Sequence, residues 1–178
     1  IPRHESTDRV AELIRRHRPH VIISYGDPMG GYDHPDHVRV WEITEPAIAI
    51  AASVDAEIDG APWQVLKLYN SMWSRAHMVA THEKFQELGL ESPFESWWFD
   101  RPSHDDMITS RVECGDWYHR RANALLAHET QVDPTSKFWF GLPHHEAAEA
   151  YPWDDYILAH SRVDTPTPED DLFAGIFG

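Results

Sequence analysis

Cysteine, long apolar stretches and basic residues are what this sequence has little of. The single cysteine, Cys114, allows neither an internal disulfide nor a metal cage made of thiolates, which fits a reducing compartment. The longest uniformly apolar stretch, residues 47–52, is far shorter than the roughly 20 residues that a membrane-spanning helix needs. We therefore expect a cytoplasmic protein that does not associate with a membrane.

The shortage of basic residues limits the choice of partners. The chain has 15 Lys and Arg against 30 Asp and Glu, which gives a formal net charge of −15. It lacks the cations that release counterions from a phosphate backbone, so we expect no nucleic acid partner. The G-x-S-x-G elbow of serine hydrolases and the G-x-G-x-x-G turn of dinucleotide-binding proteins are absent as well. A small molecule is therefore the expected ligand.

The first fifty residues follow an α/β pattern. Val10, Leu13 and Ile14 recur at helical spacing, and Pro35 suits the first turn of a later helix. In chain order, the patterns predict a helix over residues 5–17, a strand over 21–25, a loop over 26–36 and a helix over 35–53. This alternation favours a parallel sheet with flanking helices.

The rest of the chain continues the pattern less regularly. The predicted elements are a strand over residues 65–69, a helix over 74–88, an irregular aromatic segment over 92–103, a strand over 108–114, a helix over 116–129 and a short aromatic strand over 138–140. Residues 156–163 fit either type of element. Neither an internal repeat nor a long linker interrupts the chain, so we expect residues 1–178 to form one domain.

The strongest chemical signal is the sequence Gly-Gly-Tyr-Asp-His-Pro-Asp-His at residues 30–37, between a predicted strand and a predicted helix. Ligands of open α/β sheets bind outside the carboxyl ends of strands. His34 and His37 are three residues apart across a helix start, so one imidazole can bind a metal while the other faces a substrate. Asp36 can hold a ring N–H. Against this, a chain with 13 histidines contains some close pairs by chance.

This segment, together with residues 19–27 before it, resembles the second signature of the LmbE/PIG-L family, whose members are metal-dependent N-deacetylases and amidases. Further blocks resemble the branch of the family that cleaves mycothiol S-conjugates. These blocks lie at residues 67–69 (Lys-Leu-Tyr), 89–93 (Gly-Leu-Glu-Ser-Pro), 127–134 (Ala-His-Glu-Thr-Gln-Val-Asp-Pro) and 169–175 (Glu-Asp-Asp-Leu-Phe-Ala-Gly). The resemblance covers nearly the whole chain and implies a Rossmann-like fold.

The resemblance also implies a metal site that is only partly present in this chain. His37 would be the third zinc ligand, with iron as the alternative metal. The family's first signature, A-H-P-D-D-E, has no match in the chain, and the run His104-Asp105-Asp106 has a different order and is expected to be a loop. The chain is therefore expected to be the C-terminal part of an enzyme, with the general base and the other ligands upstream of Ile1.

The family chemistry gives the neighbouring side chains roles. His34 would stabilise the oxyanion or give a proton to the leaving amine, and Tyr32 would lend its hydroxyl to the same oxyanion. The amide would join an acylated cysteine to glucosaminyl-inositol, so the products would be an N-acetylcysteine S-conjugate and glucosaminyl-inositol. Two alternatives stay open: an N-deacetylase of an amino-sugar substrate such as N-acetylglucosaminyl-inositol, and a non-catalytic binding module that lacks the first signature.

Four other residues are candidates for substrate binding. Gln131 and His128 match the family's downstream block, although His128 can equally cap the end of a helix. Trp97 and Trp98 can form an aromatic wall for a sugar or for an apolar S-substituent, although core packing is the commoner fate of aromatic side chains. A homo-oligomer is also compatible with the sequence.

Overall fold

The computed structural model describes residues 1–27 and 34–177. Within them it contains the helices α1 (Arg3–His17), α2 (Pro35–Ala52), α3 (Arg75–Glu87), α4 (Ser96–Asp100), α5 (Tyr118–Leu126), α6 (Lys137–Phe140) and α7 (His144–Ala150), and the strands β1 (Val21–Ser24), β2 (Lys67–Met72), β3 (Ser110–Glu113) and β4 (Trp153–Ser161). Short 3₁₀ turns cover Asp105–Met107 and Gly115–Trp117. In the described part of the chain, no helix is both long enough and apolar enough to cross a membrane.

The strands form one sheet in the order β1-β2-β4-β3. β1 and β2 run parallel, with Val21 opposite Lys67 and Ser24 opposite Asn70. The expected α/β fold, a sheet with flanking helices, is confirmed, and the sheet is open and mixed. Parallel neighbours require a crossover connection, and α2 lies within the one between β1 and β2.

The packing of the chain defines two compact units. The first unit comprises Ile1–Met72 and Tyr156–Gly178, and the second comprises Trp73–Asp155. Strand β4 therefore begins in the second unit and ends in the first. That residues 1–178 form a single domain remains a prediction.

The core of the first unit lies where α1 meets α2. Ala11 and Ile14 of α1 pack with Ala47 and Ala51 of α2 and with Val65. Three of these five residues are alanines, so the two helices approach closely without strained rotamers. Each buried group removes apolar surface from water at a gain of roughly 25 cal/mol per Å².

A buried arginine holds the carboxyl end of α2. Arg15, which is 5% exposed, donates hydrogen bonds to the carbonyl oxygens of Ile50, Ala51, Ser53, Ile58 and Gly60 at 2.6–3.4 Å. The last carbonyls of a helix have no partner within the helix and carry a partial negative charge. One guanidinium satisfies several of them, which fixes the helix that begins with the candidate site.

Most of the predicted elements are confirmed, and two differ from the structure. The aromatic segment over residues 92–103, predicted to be irregular, contains the helix α4 (Ser96–Asp100). α3 lies within the predicted helix over residues 74–88. The Ser74 hydroxyl caps it by accepting from the His77 N–H at 3.0 Å, and the chain turns at Gly89 with a φ of +66°. The aromatic strand predicted over residues 138–140 is the helix α6. The Gly141 N–H donates to the Lys137 carbonyl at 3.0 Å, and a side chain at Gly141 would collide with that carbonyl and with Phe85. The packing of this turn therefore overrides the strand preference of aromatic residues.

Candidate active site

A buried hydroxyl pair ties the end of β1 to α2. The side-chain oxygens of Ser24, the last residue of β1, and Thr44 lie 2.9 Å apart. The Thr44 hydroxyl also donates to the Val40 carbonyl one turn earlier, at 2.7 Å. Because both hydroxyls are buried, their hydrogen bonds are costly to break. The pair therefore fixes α2 against the carboxyl end of the strand.

Tyr25 and His37 form the centre of the candidate site. Tyr25 follows β1 directly, and His37 lies in the first turn of α2. Their rings stack with centroids 3.8 Å apart and an interplanar angle of 9°. A stacked imidazole has few rotamers left, so Tyr25 orients the ring of His37. Tyr25 was predicted only as the end of a strand; an aromatic residue just before a glycine-rich loop was the available signal.

The surroundings of His37 favour its neutral form. Its pKa is lowered, first by desolvation of the half-buried ring and then by the nearby His34, while Asp36 opposes both effects. Only the neutral imidazole has a nitrogen lone pair to give to a metal. The electrostatic setting of His37 therefore fits the ligand role that the sequence suggests.

His34 has a different setting, at the N-cap of α2. Its Nδ1 accepts a hydrogen bond from the Asp36 backbone N–H at 3.2 Å, so the proton of the neutral ring belongs on Nε2. The Asp36 carboxylate lies 4.0 Å from the same Nδ1. Asp36 thus contacts His34 through its backbone, and the proton on Nε2 makes this nitrogen a hydrogen-bond donor, the property that an oxyanion requires.

The two imidazoles can supply only part of a metal site. Their ring centroids lie 5.5 Å apart. In residues 1–27 and 34–177, no group of three or more His, Cys, Asp or Glu side chains is arranged to hold a metal ion. His37 fits one position of a zinc site with nitrogen and oxygen ligands, and the remaining ligands would come from elsewhere. Tyr32, Gly30 and Gly31 lie outside the described residues.

The candidate Trp97 and Trp98 belong to an aromatic cluster in the second unit. Their rings stack with centroids 4.6 Å apart, and Trp97 is 49% exposed. Trp98 also contacts Trp73 and Phe138, at 6.1 and 5.8 Å between centroids. The Arg101 guanidinium lies over both tryptophan rings of the pair. Part of this cluster is packed, and part faces solvent as an aromatic wall would.

The other two candidates lie on the turn after α5. His128 and Gln131 are both exposed, and the Gln131 N–H donates to the His128 carbonyl at 2.9 Å. The Gln131 side-chain amide donates to the hydroxyl of its neighbour Thr130 at 3.4 Å. The roles of His128 and Gln131 in substrate binding remain predictions.

Asp105 shows why a local resemblance to the first metal signature misleads. Its carboxylate accepts hydrogen bonds from the backbone N–H groups of Arg75 and Ala76, at 2.8 and 2.9 Å. Both donors lie at the start of α3, where the N–H groups have no partner within the helix. Asp105 is thus engaged in capping a helix.

Comparison with known proteins relates the chain to one group of enzymes. It is 40% identical over 183 residues to a protein of Streptomyces coelicolor named mycothiol S-conjugate amidase, covering 97% of this chain and 62% of the relative. It is 33% identical to a 1D-myo-inositol 2-acetamido-2-deoxy-alpha-D-glucopyranoside deacetylase of Frankia alni, covering 96% and 62%, and 38% identical to such a deacetylase of Segniliparus rotundus, covering 86% and 49%. The chain thus spans less than two thirds of the length of these relatives.

The remaining comparisons concern family models and the fold. No family model matches the chain. The crystal structure of a conserved protein from Thermus thermophilus is similar with a TM-score of 0.54 and 17% identity, covering 93% of this chain and 62% of that one. This likeness supports the α/β architecture.

Proposed function

Since this chain belongs to the LmbE/PIG-L family, with the mycothiol S-conjugate amidases and the inositol acetylglucosaminide deacetylases, we propose that the protein hydrolyses an amide bond in a mycothiol S-conjugate. The observation that carries the proposal is the pairing of a stacked, neutral His37 with a donor His34 at the carboxyl end of β1. Such an edge is where α/β enzymes bind their ligands.

His37 is the proposed ligand of a zinc ion, with iron as the alternative. When bound, the metal supplies a Lewis acid for the amide carbonyl and lowers the pKa of water to about 7. The two further ligands and the general base are proposed to lie outside these 178 residues, as the family resemblance implies. Tyr25 contributes by keeping the His37 ring in one orientation.

His34 is proposed to stabilise the oxyanion or to protonate the leaving amine. As the amide carbon gains an oxygen from water, the Nε2–H of His34 donates a hydrogen bond to the developing oxyanion. Alternatively, a His34 that enters the reaction as imidazolium, with its second proton taken from solvent, gives its Nε2 proton to the leaving nitrogen as the C–N bond breaks and is left as the neutral ring. In that form Nδ1 also carries a proton and no longer accepts from the Asp36 N–H, and the Asp36 carboxylate, 4.0 Å from Nδ1, is the nearby opposite charge. Tyr32 is proposed as a second donor to the oxyanion.

The proposed substrate joins an acylated cysteine to glucosaminyl-inositol through the amide. Hydrolysis gives an N-acetylcysteine S-conjugate and glucosaminyl-inositol, a detoxification reaction. Trp97 and Trp98 are the proposed aromatic contacts for the substrate, and His128 and Gln131 are proposed polar contacts. The second candidate is N-deacetylation of N-acetylglucosaminyl-inositol, favoured by the 33% and 38% identity to the two deacetylases.

A competition between the two substrates tests this function. The full-length protein would be given an S-conjugate of mycothiol and N-acetylglucosaminyl-inositol at equal concentration. The proposal expects faster release of the N-acetylcysteine S-conjugate than of acetate, and loss of both activities in a chelator with recovery on addition of zinc. Faster acetate release would select the deacetylase. If metal-loaded protein releases neither product, the remaining interpretation is a non-catalytic binding module.

A further inference from the structure

Asn70 lies beside the candidate site on the neighbouring strand. It is the parallel register partner of Ser24, the last residue of β1. Register partners in a parallel pair point to the same face of the sheet. The Ser24 hydroxyl contacts Thr44 on α2, so the Asn70 side chain faces the side of the sheet on which α2 packs. This is the helix whose first turn carries His37.

Gly26 makes room for the Asn70 carboxamide. A Cβ at Gly26 would come within 2.7 Å of Asn70 Nδ2 and 3.0 Å of its Cγ. A Cβ does not tolerate a contact this short, so a larger residue at position 26 would push the end of the Asn70 side chain, the amide, out of its place. Gly26 immediately follows Tyr25, whose ring stacks on His37. The amide therefore packs against the backbone of Gly26, two residues after the end of β1.

The Asn70 carboxamide makes no side-chain hydrogen bond with residues 1–27 or 34–177. The residue is half-buried, and no fully buried polar side-chain atom in the described chain lacks a partner. The amide of Asn70 must therefore reach solvent. A neutral group with two donors and an acceptor, held in place and open to solvent, is suited to a neutral polar ligand.

We propose that Asn70 binds the substrate by a hydrogen bond between its carboxamide and the amide group of the substrate, and that Gly26 is required to leave space for this side chain. The inference rests on the proposed amide hydrolysis and names one further residue that touches the substrate. Asparagine suits this contact because its donors and acceptor match the C=O and N–H of an amide without adding a charge beside the histidines.

The test compares Asn70→Ala and Asn70→Leu in the full-length protein. Leucine keeps most of the volume of the Asn70 side chain and removes its C=O and NH₂ groups. Asn70→Leu therefore serves as the test variant if Asn70→Ala does not fold. The expected result is a rise in KM on the order of tenfold, the scale of one lost hydrogen bond. Binding of glucosaminyl-inositol, measured by calorimetry, and metal content should both be unchanged, because neither involves the scissile amide. The exposed Asn123→Ala is the matched control and should behave as wild type.

The Gly26→Ala variant tests the Asn70 contact independently. It should raise KM as Asn70→Ala does, and the double variant should be no worse than either single variant, because both changes remove the same contact. Wild-type KM in a folded Asn70 variant, or additive effects in the double variant, would overturn the role of Asn70 while leaving the amide hydrolysis standing. If the wild-type protein itself cleaves no amide, the proposed function fails, and the inference fails with it.

Discussion

The imidazole of His37 lies flat on the phenol ring of Tyr25, 3.8 Å from it between centroids. This contact links the end of β1 to the first turn of α2 and gives the proposed metal ligand its orientation. A stacked aromatic pair contributes about 0.5–1.5 kcal/mol beyond the burial of its surface.

Tyr25→Ala should therefore weaken metal binding by about two- to tenfold, because the free imidazole must be ordered when the metal binds. Tyr25→Phe keeps the ring and should bind the metal as the wild type does. Competition with a chromogenic chelator measures both. Equal metal affinity in Tyr25→Ala and Tyr25→Phe would show that the stacked ring does not contribute to metal binding.

His34 should be needed for turnover and not for metal binding. His34→Ala is expected to retain the metal and to lose on the order of 100-fold in kcat, the scale of one lost oxyanion donor. His34→Asn is the matched control for the helix cap, since asparagine is a good N-cap residue but has no imidazole. A similar loss in both variants assigns the effect to the imidazole. Wild-type kcat in His34→Ala would exclude His34 from the reaction.

Removing one partner of a buried ion pair should strongly destabilise the first unit. The Lys67 Nζ lies 2.8 Å from Glu169 Oε2 and 3.0 Å from the Tyr69 hydroxyl, and all three side chains are buried. Lys67→Met should cost about 3–5 kcal/mol in the free energy of unfolding, because it leaves a buried carboxylate without its cation.

The double variant Lys67→Met with Glu169→Leu should recover much of that loss, since it leaves neither charge buried alone. Lys137→Met removes an exposed pair with Glu91 and should leave the free energy of unfolding close to that of the wild type, because solvent screens the two charges. Urea unfolding measures all three variants. A double variant less stable than Lys67→Met alone would contradict this explanation.

His77 should make the protein less stable in acid. Its ring stacks on Tyr151 at 4.8 Å, and its pKa is lowered to about 4, first by burial and then by Arg121. Between pH 6.5 and about 4 the unfolded chain binds a proton that the folded protein does not. Stability attributable to His77 is thus complete at higher pH and falls by about 1.4 kcal/mol per pH unit within that window.

His77→Phe keeps an aromatic ring on Tyr151 and removes the titrating group. Its free energy of unfolding should depend less on pH than that of the wild type between pH 6.5 and 4, the window that the pKa defines. The comparison needs urea unfolding curves at several pH values. Parallel pH profiles for the two proteins would show that His77 does not titrate in this range.

Local sequence patterns predicted much of the first unit. α1, β1 and α2 were identified from apolar spacing, from a β-branched run and from Pro35, because these signals act within a few residues. The same reasoning placed His34 and His37 where a strand gives way to a helix. It failed at residues 138–140, where contacts with Phe85 and a Gly141 turn decide the conformation.

Local sequence patterns could not predict contacts between distant parts of the chain. The Lys-Leu-Tyr block at 67–69 and the Glu-Asp-Asp-Leu-Phe-Ala-Gly block at 169–175 were separate signals in the sequence. In the structure they meet through Lys67, Tyr69 and Glu169. Likewise, the stacking of Tyr25 on His37 joins residues twelve positions apart, and the local pattern around neither residue specifies it.

The central claim is that His37 holds the metal, and metal content of the full-length protein tests it most directly. Wild type, His37→Ala and the exposed His17→Ala control would be loaded with zinc, passed over a desalting column and analysed for bound metal. The account predicts about one equivalent in the wild type and the control, as in a catalytic zinc site, and none in His37→Ala. Stoichiometric zinc in His37→Ala would contradict it.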